Sequence, residues 1–396
     1  MGLTSMWEKL DDACQEPDRA GNRLWGWLKE KIDLALYRPR AAPGVETSAL
    51  TGRAGPYYVL KNPEQGTYFQ ISDRDYFLWE QMDGTRSVKD LVVAYFLEYG
   101  AFAFGRIARL VYGLKSNYML EERPVKIYNQ INLQLLRRSI GYRLQQFGSA
   151  FMSKPFAIRG VDGVVSWLYR ILGWLFFSPP MQIVYIIVSF VGIFLFVSAY
   201  QAGELRLVAE VNGSYVYGII ALAVILFFAI LVHELSHALT VKHYGREVSR
   251  AGVMIYLGMP GFFVDTSDIW MEGKRARLVV TWAGPYSGLI LSGFAAIIFT
   301  IWPDFALNSV LFRFAFLSYM IVFLNVNPLL KLDGYYLLMD WLEIPNLRRK
   351  SFAFLRSGLP AKFGIPARAD SAEGEKNHWW DTLASFSREE YIFTIF

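Results

Sequence analysis

The chain is poor in cysteine, histidine and charge. A single cysteine, Cys14, excludes an intrachain disulfide framework. Four histidines among 396 residues are too few for the imidazole-rich cluster of a membrane di-iron oxygenase. No helix-length run is dense in Lys or Arg, which argues against a nucleic-acid partner. The segment Met1 to Pro17 lacks the apolar core of a secretory signal, so the N-terminus is expected to stay in the cytosol.

Apolar side chains take up the room that charge leaves. Hydrophobic residues make up 54% of the chain and the mean hydropathy is +0.25, an excess that fits several membrane spans plus a soluble part. Four apolar runs follow one another: Met181 to Tyr200, Tyr215 to about Lys242, Leu278 to Trp302, and Phe314 to about Leu338. Each has an uncharged core long enough for a hydrocarbon layer. Pro328 and Gly334 break the fourth, and Arg313 near its start can snorkel outward. Lys and Arg set the expected orientation. Basic residues before the first run, the loop with Lys242, Arg246, Arg250, Lys274, Arg275 and Arg277, and the stretch Arg348-Arg349-Lys350 all fall on the cytoplasmic side. The expected location is a bacterial plasma membrane.

Ahead of the spans the sequence divides into three parts. Residues 1–55 read as a weakly structured leader with an aromatic patch at Trp25-Gly26-Trp27-Leu28. Residues 56–122 read as a small α+β module. Tyr57 to Leu60 and Thr67 to Ile71 pattern as strands around the turn Asn62-Pro63-Glu64-Gln65-Gly66. Ser72 with Asp75, and Ser87 with Asp90, have capping-box spacing. A third helix carries Ile107, Leu110, Val111 and Leu114 at helical period. Residues 123–177 are basic and amphipathic: Arg137, Arg138, Arg143, Lys154, Arg159 and Arg170 alternate with Trp167, Tyr169 and Trp174, a pattern suited to a membrane surface. The module resembles the PqqD-type peptide-binding winged helix. That resemblance rests on the strand pair, Asp75-Tyr76-Phe77-Leu78-Trp79, Asp83-Gly84-Thr85-Arg86-Ser87 and Val88-Lys89-Asp90-Leu91. It implies a hold on a peptide; a generic winged helix with a docking role fits the same pattern.

The second apolar run ends in chemistry. After the uncharged stretch Tyr215 to Val232 comes His233-Glu234-Leu235-Ser236-His237. Ionisable groups at membrane depth cost about 2.5–3.5 kcal/mol each on insertion scales and persist mostly for function. His233 and His237 share a helix face one turn apart, the spacing with which two imidazoles bind one zinc, and Glu234 sits beside them as a candidate base. A catalytic zinc takes a third protein ligand. Asp333, at the cytoplasmic end of the broken fourth run, is the strongest candidate. His243, His378, Asp265, Asp268 and Asp340 are weaker ones, with Asp340 expected in solvent.

His233-Glu234-Leu235-Ser236-His237 followed by Asn325-x-x-Pro328-x-x-x-x-Asp333-Gly334 resembles the site-2 protease family of intramembrane zinc metalloproteases over about Phe176 to Ile344. The resemblance implies zinc on His233, His237 and Asp333, Glu234 as general base, Asn325 at the oxyanion or the substrate, and a membrane-dipping β-hairpin within Val248 to Trp270. One departure is Gly284-Pro285-Tyr286-Ser287-Gly288, where many members have an Asn after Gly-Pro; glycine there can serve close helix packing.

The expected fold is therefore mostly α: a multi-span α-helical membrane protein with a site-2-protease-like core at residues 178–345. A cytosolic winged-helix-like domain precedes it, and a cytoplasmic loop over 346–386 follows. Ser387 to Phe396 resemble the opening of a further span, as in a piece of a longer protein. The expected activity is zinc-dependent hydrolysis of a peptide or membrane-protein substrate. The other reading open at this point is a non-proteolytic membrane component of a peptide-maturation or peptide-export machine.

Overall fold

Ser and Asp at the two predicted helix starts cap them as spaced. In the computed structural model of the chain, residues 34–53, 55–121, 156–203, 211–256, 259–344 and 347–355 are described. The Trp25–Leu28 patch, Arg137, Arg138, Arg143, Lys154, His378 and the segment from Ser387 lie outside them. The chain forms two compact units, Met1–Gln146 and Phe147–Phe396.

In the first unit, strands β1 (Glu46–Gly52), β2 (Gly55–Asn62) and β3 (Thr67–Ser72) form an antiparallel sheet in that order. Glu46 to Gly52, expected in the leader, are thus part of the folded module. The strand is an edge of mainly small and polar residues, so apolar periodicity alone did not reveal it. Helices α1 (Asp73–Trp79), α2 (Val88–Tyr99) and α3 (Phe104–Ser116) follow. Ser72 Oγ accepts from the Asp75 amide, and Ser87 with Asp90 makes the reciprocal capping box. Gly100 ends α2 in the left-handed conformation with φ 70°. Leu60, Leu78, Met82, Val88, Leu91, Ile107 and Leu114 are fully buried between sheet and helices.

The second unit is mostly helical. Strand β4 (Phe156–Arg159) leads to α4 (Asp162–Phe177), α5 (Pro179–Gln201) and α6 (Tyr215–His243). A hairpin, β5 (Arg250–Tyr256) and β6 (Met259–Val264), pairs with β4 in the order β4-β5-β6, all antiparallel. Gly252 permits this, because a side chain there would strike the Phe156 carbonyl. A 3-10 turn (Ser267–Met271), α7 (Lys274–Ile301), α8 (Asn308–Val326), α9 (Asp333–Leu342) and α10 (Leu347–Ala353) complete it.

Helices α5, α6, α7 and α8 are long and apolar enough to cross a membrane. Their side chains are largely exposed in the isolated chain, as expected of surfaces meant for lipid rather than water. α7 is the most enclosed and packs against α5, α6, α8 and α9. Glycine sets two of these approaches: Gly192 of α5 meets Gly293 of α7 backbone to backbone, and Gly288 of α7 receives Val322 of α8.

The fourth span differs from the expectation at both ends. It starts at Asn308, whose amide nitrogen donates to the carbonyls of Phe299 and Trp302 and ties it to the end of α7. It stops at Val326. Arg313 therefore lies inside the helix rather than at its start. Asn327 is extended, with ψ 116°, because the residue before a proline is driven out of the helical region. Its carboxamide oxygen accepts from the Leu329 amide and turns the chain into α9.

Candidate metal centre

Three donors meet where α6 and the α8–α9 break converge. His233 Nε2 lies 3.1 Å from Asp333 Oδ2, His237 Nε2 lies 3.5 Å from the same oxygen, and the two Nε2 atoms are 3.2 Å apart. All three ligand atoms fall within 4.8 Å of one another, close enough to hold one metal ion. His237 is buried and the other two are partly so.

Each donor is aimed by a neighbour. His237 Nδ1 donates to the Val280 carbonyl at 2.7 Å, which leaves Nε2 as a lone pair facing His233 and Asp333. The Asn325 amide donates to Asp333 Oδ2 at 2.8 Å, and the Asp333 backbone N–H reaches Asn325 Oδ1 at 3.4 Å. Asn325 Nδ2 is also 3.5 Å from His233 Nε2. Asp333 is the first residue of α9, where the positive end of the helix favours a carboxylate. Gly334 lets α9 press against the end of α8, since a side chain there would strike the Val326 backbone. Burial alone would raise the Asp333 carboxyl. The hydrogen bonds and charges of His233 and His237 outweigh it and hold it well below the ordinary range.

The donor set fits zinc chemistry. Two imidazole nitrogens and one carboxylate oxygen match a three-ligand catalytic site with one position open. Two nitrogen lone pairs and an anionic oxygen crowded within hydrogen-bond distance repel one another unless a proton or cation lies among them. Gly284 keeps that space clear: a β-carbon there would collide with the imidazoles of both His233 and His237.

Glu234 belongs to the same turn of α6. Its Oε2 accepts from the backbone N–H of Val264 at 3.1 Å, so the carboxylate is held against the end of β6. The weaker ligand candidates serve elsewhere. His243 takes a 3.0 Å hydrogen bond with the Tyr169 hydroxyl and stacks on Phe177. Asp265 pairs with Arg250 at 2.7 Å, and buried Asp268 accepts from the Glu247 amide at 2.9 Å. Asp340, expected in solvent, is half-buried and pairs with Arg277 at 3.0 Å, because α9 folds back against α7. Sequence reading missed Val280 and the Val264 amide. Both act through backbone atoms, which carry no residue-type signal. Gly284 was visible in its Gly-Pro pair, but its place over the imidazoles was not.

No family model and no solved structure matches the chain. Two curated proteins are similar over part of it. A 79-residue stretch, 19% of the chain and 20% of the relative, is 38% identical to an uncharacterized protein of Methanocaldococcus jannaschii. A 122-residue stretch, 30% of the chain, is 25% identical to the "putative peptide zinc metalloprotease protein YydH" of Bacillus subtilis and covers 47% of that protein. The chain thus bears a distant, partial likeness to a protein named for peptide cleavage with zinc.

Proposed function

We propose that this chain is a membrane-embedded zinc endopeptidase of the site-2 protease kind. It would hydrolyse a peptide or membrane-protein substrate at the cytoplasmic edge of a bacterial plasma membrane. One observation carries the reading: His233 and His237 of α6 and Asp333 of α9 converge beside Glu234 at the end of an apolar helix. The likeness to a named metalloprotease and the four long apolar helices support it. The Lys and Arg bias of the loops supports the cytoplasmic orientation.

His233, His237 and Asp333 would hold the metal, which when bound supplies Lewis-acid polarisation and lowers the pKa of water toward neutrality. Glu234 takes the proton of the attacking water and returns it to the leaving amine. Val280 and Asn325 keep the donors aimed. Asn325 is near enough to His233 and Asp333 to face a substrate carbonyl as well. β6 is an edge strand whose end holds Glu234, so a substrate that adds to that edge in extended form is brought alongside the base. A helical substrate must unwind to do so. The first unit, three strands followed by three helices, is assigned to presenting a peptide in the manner of the PqqD-type domain it resembles. Peptide-export or peptide-modifying proteins are the partners this implies.

Elemental mass spectrometry of the detergent-purified chain tests the site. About one zinc per chain is expected, lost in His237→Ala and Asp333→Ala and kept in Glu234→Gln. Proteoliposomes given a library of single-span peptides test the activity. Products should form with wild type and vanish with Glu234→Gln. Zinc-free wild-type protein, or cleavage that survives Glu234→Gln, would overturn the assignment.

A further inference from the structure

α4 carries an apolar stripe that no described residue of the second unit covers. Val164, Trp167, Ile171 and Trp174 recur at helical spacing, and Trp174 is 68% exposed. The opposite face is spent on packing: Val165 is only 7% exposed and joins Leu168 and Tyr169 against Ala238 and Val241 of α6. Arg170 flanks the stripe on its open side, and Arg159 precedes the helix; both are exposed. The helix contains one acid, Asp162, and that carboxylate is engaged. It takes Lys242 Nζ, in the last turn of α6, at 2.8 Å and the amide of Val248, between α6 and β5, at 2.8 Å. The open face therefore carries cations and aromatics without a free anion of its own.

Continuity says what covers it. α4 passes into the apolar helix α5 through Ser178 alone, so its stripe lies at the mouth of a spanning helix. Tryptophan beside arginine, on an apolar strip with one charged flank, matches the boundary between headgroups and acyl chains. We infer that α4 lies in the plane of the membrane surface with Val164, Trp167, Ile171 and Trp174 in lipid. Through the Asp162–Lys242 link, it sets the depth at which His233 and His237 sit. This rests on the membrane reading of α6 above. α4 then acts as a positioning element: it decides how far from the water boundary a substrate is met.

The single native cysteine makes the test direct. In the full chain with Cys14→Ser, nitroxides are placed singly at Val164, Ile171, Arg170 and Leu231, a partly exposed residue of α6 two positions before His233. The protein is reconstituted in vesicles containing anionic lipid, and collisions with oxygen and with chromium oxalate are compared. The oxygen-to-chromium ratio should be several-fold higher at Val164 and Ile171 than at Arg170. At Leu231 it should fall when Asp162→Ala or the pair Trp167→Ser and Trp174→Ser is added. Val164 and Ile171 reading like Arg170, or shielded from both reagents, would overturn the lipid assignment. An unchanged Leu231 in both variants would overturn the depth-setting role. A water-exposed Leu231 in the parent would sink the membrane reading itself, and the proposal with it.

Discussion

Gly284 shows how much one missing side chain can decide. Its α-carbon faces the two imidazoles with nothing between, and any β-carbon there would occupy the space the donors share. Gly284→Ala should leave the fold in place, since alanine suits a helix. It should lower zinc affinity by about 10–100-fold, the range seen when a site's supporting groups are disturbed. Competition with a chromophoric chelator reads this directly, and wild-type affinity would show that the site lies elsewhere. The residues of the His-Glu motif were legible in the sequence because spacing on a helix sets which side chains share a face. The neighbours that aim them were not. Val280 contributes a carbonyl and Val264 an amide, and any residue could supply either. Asn325 stood out beside Pro328, yet its hydrogen bond to Asp333 spans a chain break in helix geometry that periodicity does not report.

Among the elements, α9 carries the candidate ligand Asp333 at one end and is pinned at the other. Arg277 of α7 pairs with Asp340, and Lys274 donates to the Trp341 carbonyl and pairs with Glu343 at 3.2 Å. Glu343 is itself left-handed, with φ 61°, so that ion pair holds a conformation a non-glycine residue resists. Burial pushes the Asp340 carboxyl upward by more than Arg277 and Lys274 pull it down, so the guanidinium is the main group that favours its charged form. Arg277→Met should therefore cost about 3–5 kcal/mol, the usual penalty for leaving one partner of a buried pair alone. Adding Asp340→Leu should recover much of it. Thermal unfolding in detergent would measure both; a double variant no better than the single would reject the account. The α4–α6 junction makes a pH prediction. Burial would raise Asp162, but Lys242 and the Val248 amide prevail and lower it. A carboxyl depressed in the folded state stabilises above its unfolded value and loses that stabilisation as acid carries the pH down through its folded value. Wild type should thus exceed Asp162→Asn by a constant margin near neutrality, at most about 1 kcal/mol because the pair is partly exposed. The margin should shrink below about pH 4. A margin that grows on acidification would contradict this. The helices were legible because apolar length and capping residues are local signals. β1 and β4 were not: each is an edge whose partner, not its own pattern, makes it a strand.

At the scale of the whole molecule the two units answer to different solvents. The first buries Leu60, Leu78, Leu91 and Leu114 away from water, while the second leaves Ile186, Phe190, Phe194, Val224 and Phe228 on its surface. Metal should matter only to the second. Chelator treatment should speed amide hydrogen exchange around His233–Thr240 and at the start of α9, by the stabilisation a ligand gives only to the state it binds. α2 and α3 should exchange as before, and uniform change across both units would refute a local metal. Sequence alone determined the elements whose causes are local: four apolar helices, the capped starts of α1 and α2, and the His233–His237 face, since length, caps and helical period are properties of neighbouring residues. The sequence offered Asp333 as the strongest third donor, but only the tertiary structure brought it, a hundred residues from His233, within reach of both imidazoles. The tertiary structure also decided that Asp340 is paired rather than solvated and that Asp162 ties α4 to the end of α6. Those outcomes depend on where the chain turns at Asn327 and how closely glycines let α8 and α9 approach, and no local pattern encodes which distant backbone will arrive.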